Sequence, residues 1–276
     1  MKKNNFTFIW FIALCVIFHT ELISQKFHVM TWNIRYDEKR DSLDNWHLRK
    51  QEMVELINTK NPYILGIQEG LFHQVQYLDS ALVNYTYVGC GRDDGYQKGE
   101  FSAIFIDTTV FRVTQSGTYW LSDTPNKVSI GWDAALPRIC TYALISHKKS
   151  KKSIWIFNTH FDHKGQSARL MSTELILKKV SELNHENQPY ILMGDLNATP
   201  KEKPIQLLVG AHHKLPKKIK GHQGTFNGFG YENNTRRIDY IFSSKVDILK
   251  YMHLDAKRKN GRYISDHLPV YASIRL

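Results

Sequence analysis

Ten short apolar runs dominate the chain and leave it few ways to fold. Residues 27–34 (FHVMTWNI), 63–68 (YILGIQ), 85–90, 101–107, 110–121, 138–147, 153–161, 189–196, 237–243 and 269–275 have the length and composition of strands. Helical periods interrupt them singly. Residues 46–59 repeat apolar groups at Trp46, Met53, Leu56 and Ile57, and residues 71–83 at Phe72, Val75, Leu78 and Leu82. Residues 165–184 do so at Leu170, Leu175, Leu177 and Val180 among charged neighbours. So many strands are too many for one simple parallel sheet. An α+β or layered α/β fold is expected, with two packed sheets and helices outside.

The strand-like runs end on polar residues. In YILMGDLNATP (190–200) an apolar run delivers Asp195 and, two residues on, Asn197, which period two places on the same side of the chain. Asn33 ends FHVMTWNIR, Glu69 ends YILGIQE and His160 ends IWIFNTH. Asp239 interrupts RRIDYIF, and Asp266 and His267 open the last strand in SDHLPVYA. Any one of these alone reads as an Asx turn, a strand-end cap or a satisfied core histidine. Six together, several beside the most apolar residues of the chain, are costly to bury without partners. Oxygen ligands plus two histidines are what metal-assisted phosphate chemistry requires.

The start of the chain reads as a targeting segment. MKKNN is a basic opening, FTFIWFIALCVIF (6–18) is an apolar core of signal-peptide length, and the polar HTELISQ follows. Residues 1–25 are therefore expected to be a signal peptide, cleaved near Ser24–Lys26. The product would be exported, periplasmic or secreted, with no transmembrane segment in the mature chain; an uncleaved leader would make a membrane anchor. Without Lys2, Lys3 and Glu21 the 37 basic and 26 acidic side chains become 35 and 25, a net of +10. Residues 26–276 hold no linker, repeat or low-complexity tract, and read as one domain large enough for a substantial core. The basic balance suits an anionic partner. Its densest clusters, Lys148–Lys152, Lys214–Lys220 and Lys257–Arg262, lie between apolar runs, where solvated hairpin tips are common. Cys90 and Cys140 give no disulfide framework, and a buried free thiol is expected.

The ordered set TWNIR, GIQE, NTHFDH, GDLNATP, RIDYIF and SDHLPV resembles the endonuclease/exonuclease/phosphatase superfamily, the deoxyribonuclease I-like group. The resemblance runs from about Phe27 to Leu276. GRDDGYQKGEFSAIF (91–105) and GWDAALPRICTYALI (131–145) resemble a bacterial branch nearest the deadenylase–nocturnin side. It implies a four-layer α/β/β/α sandwich of two mixed sheets with helices outside.

The resemblance also implies roles. Glu69 matches the principal Mg²⁺ ligand, with Asn33 and Asp266 close by and Mn²⁺ as a substitute. Asp195 matches the residue that aligns or deprotonates the attacking water, and Asn197 the amide that orients it or a phosphate oxygen. His267 matches the histidine near the phosphate, with Asp239 as its carboxylate partner. His160 matches a second histidine that contacts phosphate or protonates the leaving group, and Glu100 aligns with its acidic partner. Arg138 and Arg92 are candidate phosphate clamps, because a guanidinium contacts two oxygens at once; structural ion pairs are the competing explanation. Tyr119, Trp120 and Trp132 are candidates to stack a base or to pack the core.

The first functional reading is a Mg²⁺-dependent phosphodiesterase on nucleic acid, a nuclease, with no stable protein partner implied. The second applies the same chemistry to a small or lipid-linked phosphoester such as an inositol phosphate, sphingomyelin or a phosphosugar. The third is a non-catalytic binder of anionic polymers, which would have no need for both Asp195 and the Asp239–His267 pair.

Overall fold

The computed structural model describes residues 26–211, 216, 218–230 and 235–275. The expected leader, residues 1–25, lies outside the described residues, as does part of the Lys214–Lys220 cluster. No helix among the described residues is long and apolar enough to cross a membrane.

The strands are β1 (Lys26–Asn33), β2 (Ile64–Gln68), β3 (Tyr85–Val88), β4 (Ile104–Asp107), β5 (Phe111–Trp120) and β6 (Ile139–His147). They continue with β7 (Ser153–His160), β8 (Tyr190–Asp195), β9 (Lys220–Gly221), β10 (Asp239–Ser244), β11 (Asp247–His253) and β12 (Val270–Arg275). The helices are α1 (Trp46–Lys60), α2 (Phe72–Ala81), α3 (Gln166–Leu183) and α4 (Lys203–Gly210). One sheet runs β3-β4-β2-β1-β12-β11-β9 and the other β10-β8-β7-β6-β5. Each of the ten expected runs contains a strand. β9, β11 and α4 were not anticipated.

Period two sorts the strand side chains into three cores. Val29, Ile64, Ile106, Ile156, Ile191 and Ile241 point between the sheets and fill the central core. Their neighbours Met30, Leu65 and Ile67 face the opposite way, against Trp46, Met53 and Ile57 of α1 and Val75 and Leu78 of α2. On the second sheet Phe157, Leu192 and Phe242 face outward against Ile176 and Val180 of α3 and Ile205 and Leu208 of α4. Three cores between four layers make the α/β/β/α sandwich that the resemblance implies. The α3 face departs from the sequence reading: it buries Ala168, Arg169, Ser172, Thr173 and Ile176, while Leu170, Leu175 and Leu177 are only half-buried.

The sheets are tied together close to the end that carries the polar residues. Asn158 of β7 donates to the carbonyls of Ile67 and Ala103 and accepts from Gln68, which also donates to Thr31. The contact is tight: a Cβ on Gly66 would stand 2.6 Å from Met193 Cε and 2.7 Å from Asn158 Oδ1. Buried polar groups must find partners, and here they find them across the layers, which holds the strand ends in register. Cys140 is buried, Cys90 half-buried, and both thiols are free.

Candidate active site

The topology gathers the strand-end residues at one end of the sandwich. β1 runs parallel to β2, and β12 antiparallel to β1. The C-terminal ends of β1 and β2 therefore meet the loop entering β12. In the second sheet His160, Asp195 and Asp239 are register partners on adjacent strands, β7, β8 and β10. Two positions differ from the sequence reading. Asp239 opens β10 rather than interrupting it, because β10 is antiparallel to β8. Asp266 and His267 lie in the loop before β12 rather than on it.

A cleft of about 610 Å³ opens there. Glu69, Glu100, Arg138, His160, Asp195, Asn197, Asp266 and His267 line it, together with Arg35, Tyr36, Leu136, His163, Phe226, Arg236 and Ile238. Several of these positions are held in unfavourable backbone. Arg35 (φ 57°), Glu69 (φ 62°) and Asn197 (φ 45°) all sit in the left-handed region, the kind of local strain that surrounding structure must impose. Gly194, just before Asp195, has φ 139°, and a Cβ there would stand 1.9 Å from the Thr159 carbonyl oxygen, so only glycine fits.

Hydrogen bonds fix the centre. Asn33 Nδ2 donates to Glu69 Oε1 (2.9 Å) and Asp195 Oδ2 (3.0 Å), and Asn33 Oδ1 accepts from the Arg35 N–H. Glu69 Oε2 accepts from the Tyr36 N–H, and Asp195 Oδ1 from the Asn197 N–H. His267 Nδ1 bonds Asp239 Oδ2 at 2.9 Å, and its Nε2 lies 3.8 Å from Asp195. Asn197 Nδ2 donates to the Phe161 carbonyl and to His160 Nε2. Because a carbonyl can only accept, the Asn197 NH₂ must lie on that side. His160 Nε2 is then an acceptor, which leaves its proton on Nδ1, 3.7 Å from Glu100.

The charges follow from burial and neighbours. Burial alone would strip His267 of its proton, but Asp239 and Asp195 outweigh it and hold the imidazole protonated well above its ordinary value. Burial, then Arg138 and Arg92, push His160 well below its ordinary value, so it is neutral, as its hydrogen bond requires. Burial and then the charge of Asp239 raise Asp195 to about 7. Burial and then Glu69 raise Glu100 to about 7. Burial works to raise Glu69 as well, but cationic His267, the Asn33 amide and Arg35 together bring it below its ordinary value. Asp266 is raised by burial and, against His267, by the charge of Glu69.

This donor set fits a hard cation. Glu69 and Asp266 are two carboxylates whose like charges oppose each other, and the nearby oxygens belong to carboxylates and amides without thiolates. Asp195, Asp239 and His267 also cluster, with ligand atoms within 4.8 Å of one another. There, however, the protonated His267 already serves Asp239.

The other expected contacts divide. Arg138 lines the cleft, is 4% exposed, and has a buried Nη1 without a hydrogen-bond partner among the described residues. Arg92 does not line it: it pairs with Glu100 at 2.7 Å, behind the cleft wall. Trp120 is spent on packing and donates to the Arg92 carbonyl, Tyr119 is buried in the α3-side core, and Trp132 does not line the cleft. Sequence reasoning left His163, Arg35 and Arg236 without roles, although Arg35 closes TWNIR and His163 closes NTHFDH.

A two-sheet sandwich of deoxyribonuclease I-like architecture, with acids, amides and histidines converging on one cleft, defines the class of the phosphoester hydrolases. The chain belongs to the Endonuclease/Exonuclease/phosphatase family, whose profile matches residues 30–267. Members of this superfamily are nucleases and phosphatases, typically dependent on a divalent metal. Three solved structures show the likeness. An endonuclease/exonuclease/phosphatase family protein of Bacteroides thetaiotaomicron is 34% identical, with a TM-score of 0.86 over 92% of this chain and 98% of that one. A mannosyl-6-phosphatase of the same bacterium is 35% identical, with a TM-score of 0.84 over 90% and 99%. The human Nocturnin catalytic domain shares the fold at 18% identity, with a TM-score of 0.71 over 91% and 96%.

Proposed function

We propose that the chain is a divalent-metal-dependent phosphatase that removes phosphate from a small, hydroxyl-rich molecule of the phosphosugar class. The observation that carries this reading is the cleft's confinement among the described residues: its basic side chains are local, and neither Lys148–Lys152 nor Lys257–Arg262 extends it. Lys148–Lys152 forms the β6–β7 turn, at the opposite end of β7 from His160. Arg258 and Arg262 are committed to Asp44. The likeness to a mannosyl-6-phosphatase supports the same choice. The nuclease reading formed from the sequence would need a longer basic track.

A divalent cation, Mg²⁺ with Mn²⁺ as substitute, would be held by Glu69 and Asp266 beside the Asn33 carboxamide. When bound it would polarise the phosphate and offset its charge. The chain's own groups do the rest. Asp195, oriented by Asn33 and the Asn197 N–H, positions the attacking water and takes its proton. Protonated His267 donates from Nε2 to a phosphate oxygen and stabilises the charge that develops there. Asp239 fixes the tautomer and charge of His267. Neutral His160 and the Asn197 amide hold each other and complete the wall. Residues 1–25 are proposed to direct export, leaving 26–276 as the catalytic unit.

The test is turnover by purified residues 26–276 with Mg²⁺, read as orthophosphate release from hexose 6-phosphates and inositol phosphates, as phosphocholine release from sphingomyelin, and as strand scission of single-stranded RNA and DNA and duplex DNA. Hexose phosphates should be turned over fastest. Faster cleavage of any nucleic acid would return the reading to a nuclease.

A further inference from the structure

The turn after β7, FDHKGQ, builds a unit that the hydrolytic chemistry does not use. Asp162 is 1% exposed, and its Oδ1 accepts from the N–H groups of Lys164 (2.9 Å) and Gly165 (2.8 Å). Its Oδ2 faces Arg138 Nε at 3.4 Å, and its carbonyl accepts from Arg169. Arg138 is thereby held against the cleft wall, where its Nη2 lies 3.1 Å from His163 Nδ1. A guanidinium has donors only, so Nδ1 must accept and the His163 proton sits on Nε2. Burial and then Arg138 lower the affinity of this imidazole for a second proton, in keeping with that tautomer. Among the described residues nothing meets Nε2, and the ring is 46% exposed at the cleft. Arg138 Nη1, buried, is also without a partner.

Arg138 Nη1 is sealed from the cleft, whereas His163 Nε2–H, fixed in direction and without an acceptor, opens to it. We propose that His163 recognises the leaving group: its Nε2–H holds an acceptor oxygen, hydroxyl or ring, of the sugar that carries the phosphate. This rests on the phosphosugar reading and deepens it. His163 sets which phosphoester is accepted, and Arg138 and Asp162 are its positioning residues. Leu136, on the same cleft, supplies apolar contact for the carbon face of such a ring.

The experiment compares kcat/KM on a hexose 6-phosphate with that on phenyl phosphate, whose leaving group has no hydroxyl beyond the scissile oxygen. The enzymes are the wild type, His163→Ala, His163→Gln and His163→Phe. Loss of one hydrogen bond to the sugar should lower the hexose value about tenfold more than the phenyl value in His163→Ala, mainly through KM. His163→Gln, whose amide N–H reaches the position of Nε2–H, should recover part of that selectivity, and His163→Phe should not. Equal losses on both substrates, or none on either, would overturn the role of His163 while leaving the phosphatase reading intact. A wild type without activity on any hexose phosphate would instead refute the phosphosugar reading, and the inference with it.

Discussion

Replacing Asp239 by asparagine separates the charge of the Asp239–His267 pair from its shape. Asp239 Oδ2 lies 2.9 Å from His267 Nδ1, both side chains are buried, and Asp239 Oδ1 has no hydrogen-bond partner among the described residues. Asparagine can still accept from Nδ1–H with its carbonyl while its NH₂ takes the place of Oδ1, so the packing is kept. An opposite charge at this distance shifts an ionisable group by ~1–3 pH units, and without it only burial acts, which lowers a histidine. His267 works protonated, so its loss of a proton sets the alkaline limb, and that limb should move to lower pH. Asp195 works ionised. Its carboxyl, pushed up to about 7 by burial and then by Asp239, is relieved of the like charge, so the acid limb should move down as well. Near neutrality the variant should lose ~10²–10³-fold in kcat, the worth of one preorganised donor to a developing charge. The assay is a pH–kcat/KM profile on one phosphomonoester for the wild type, Asp239→Asn, His267→Ala and the double variant. The double variant should cost little more than His267→Ala alone, since groups acting as a unit are not additive. Unmoved limbs in Asp239→Asn, or losses that simply add, would refute the pairing.

Chelation should abolish turnover and added Mg²⁺ or Mn²⁺ restore it; full activity after exhaustive dialysis against EDTA would remove the cation from Glu69 and Asp266. Gly66→Ala should destabilise the fold by ~1–3 kcal/mol, because its Cβ would meet Met193 and Asn158 where the sheets touch, and a thermal melt would show it. His253 is buried and its imidazole is held down to about 4, by burial first and Arg237 second. As pH falls, the unfolded chain takes up that proton first, near 6.5. Stability contributed by neutral His253 is therefore full above about pH 6.5 and is lost toward pH 4, by up to about 3 kcal/mol. Urea midpoints at several pH values should fall less steeply in His253→Gln than in the wild type.

The layers were legible because the strands of the central core are apolar on both faces, and each buries one face between the sheets and the other against helices. β11 escaped notice because DILKYMH buries only Tyr251 and His253 and offers neither a continuous apolar run nor clean alternation. The α3 face was misread because arginine, serine and threonine on it are buried through hydrogen bonds, as where Thr173 donates to the Arg169 carbonyl. At the site, Asn33, Glu69, His160, Asp195, Asp239, Asp266 and His267 stood out as polar groups ending apolar runs, and the structure brings them together. The partners of the arginines could not be read from spacing. Arg92 and Arg138 look alike in the sequence, yet the first pairs with Glu100 behind the cleft wall and the second lines the cleft beside His163. Arg49 gave no signal at all. It is fully buried, donates to the carbonyls of Ile34, Arg35 and Asp44, and so ties down the loop that follows Asn33.

The most direct measurement is the rate of phosphate release by Asp195→Asn, with Mg²⁺ and saturating hexose 6-phosphate, beside its thermal midpoint. Asparagine keeps the volume and an acceptor for the Asn197 N–H but cannot take a proton from water. With Asp195 as the group that activates water, kcat should fall ~10²–10⁴-fold while the fold remains intact. A well-folded variant turning over at close to the wild-type rate would contradict the assignment of the cleft's chemistry.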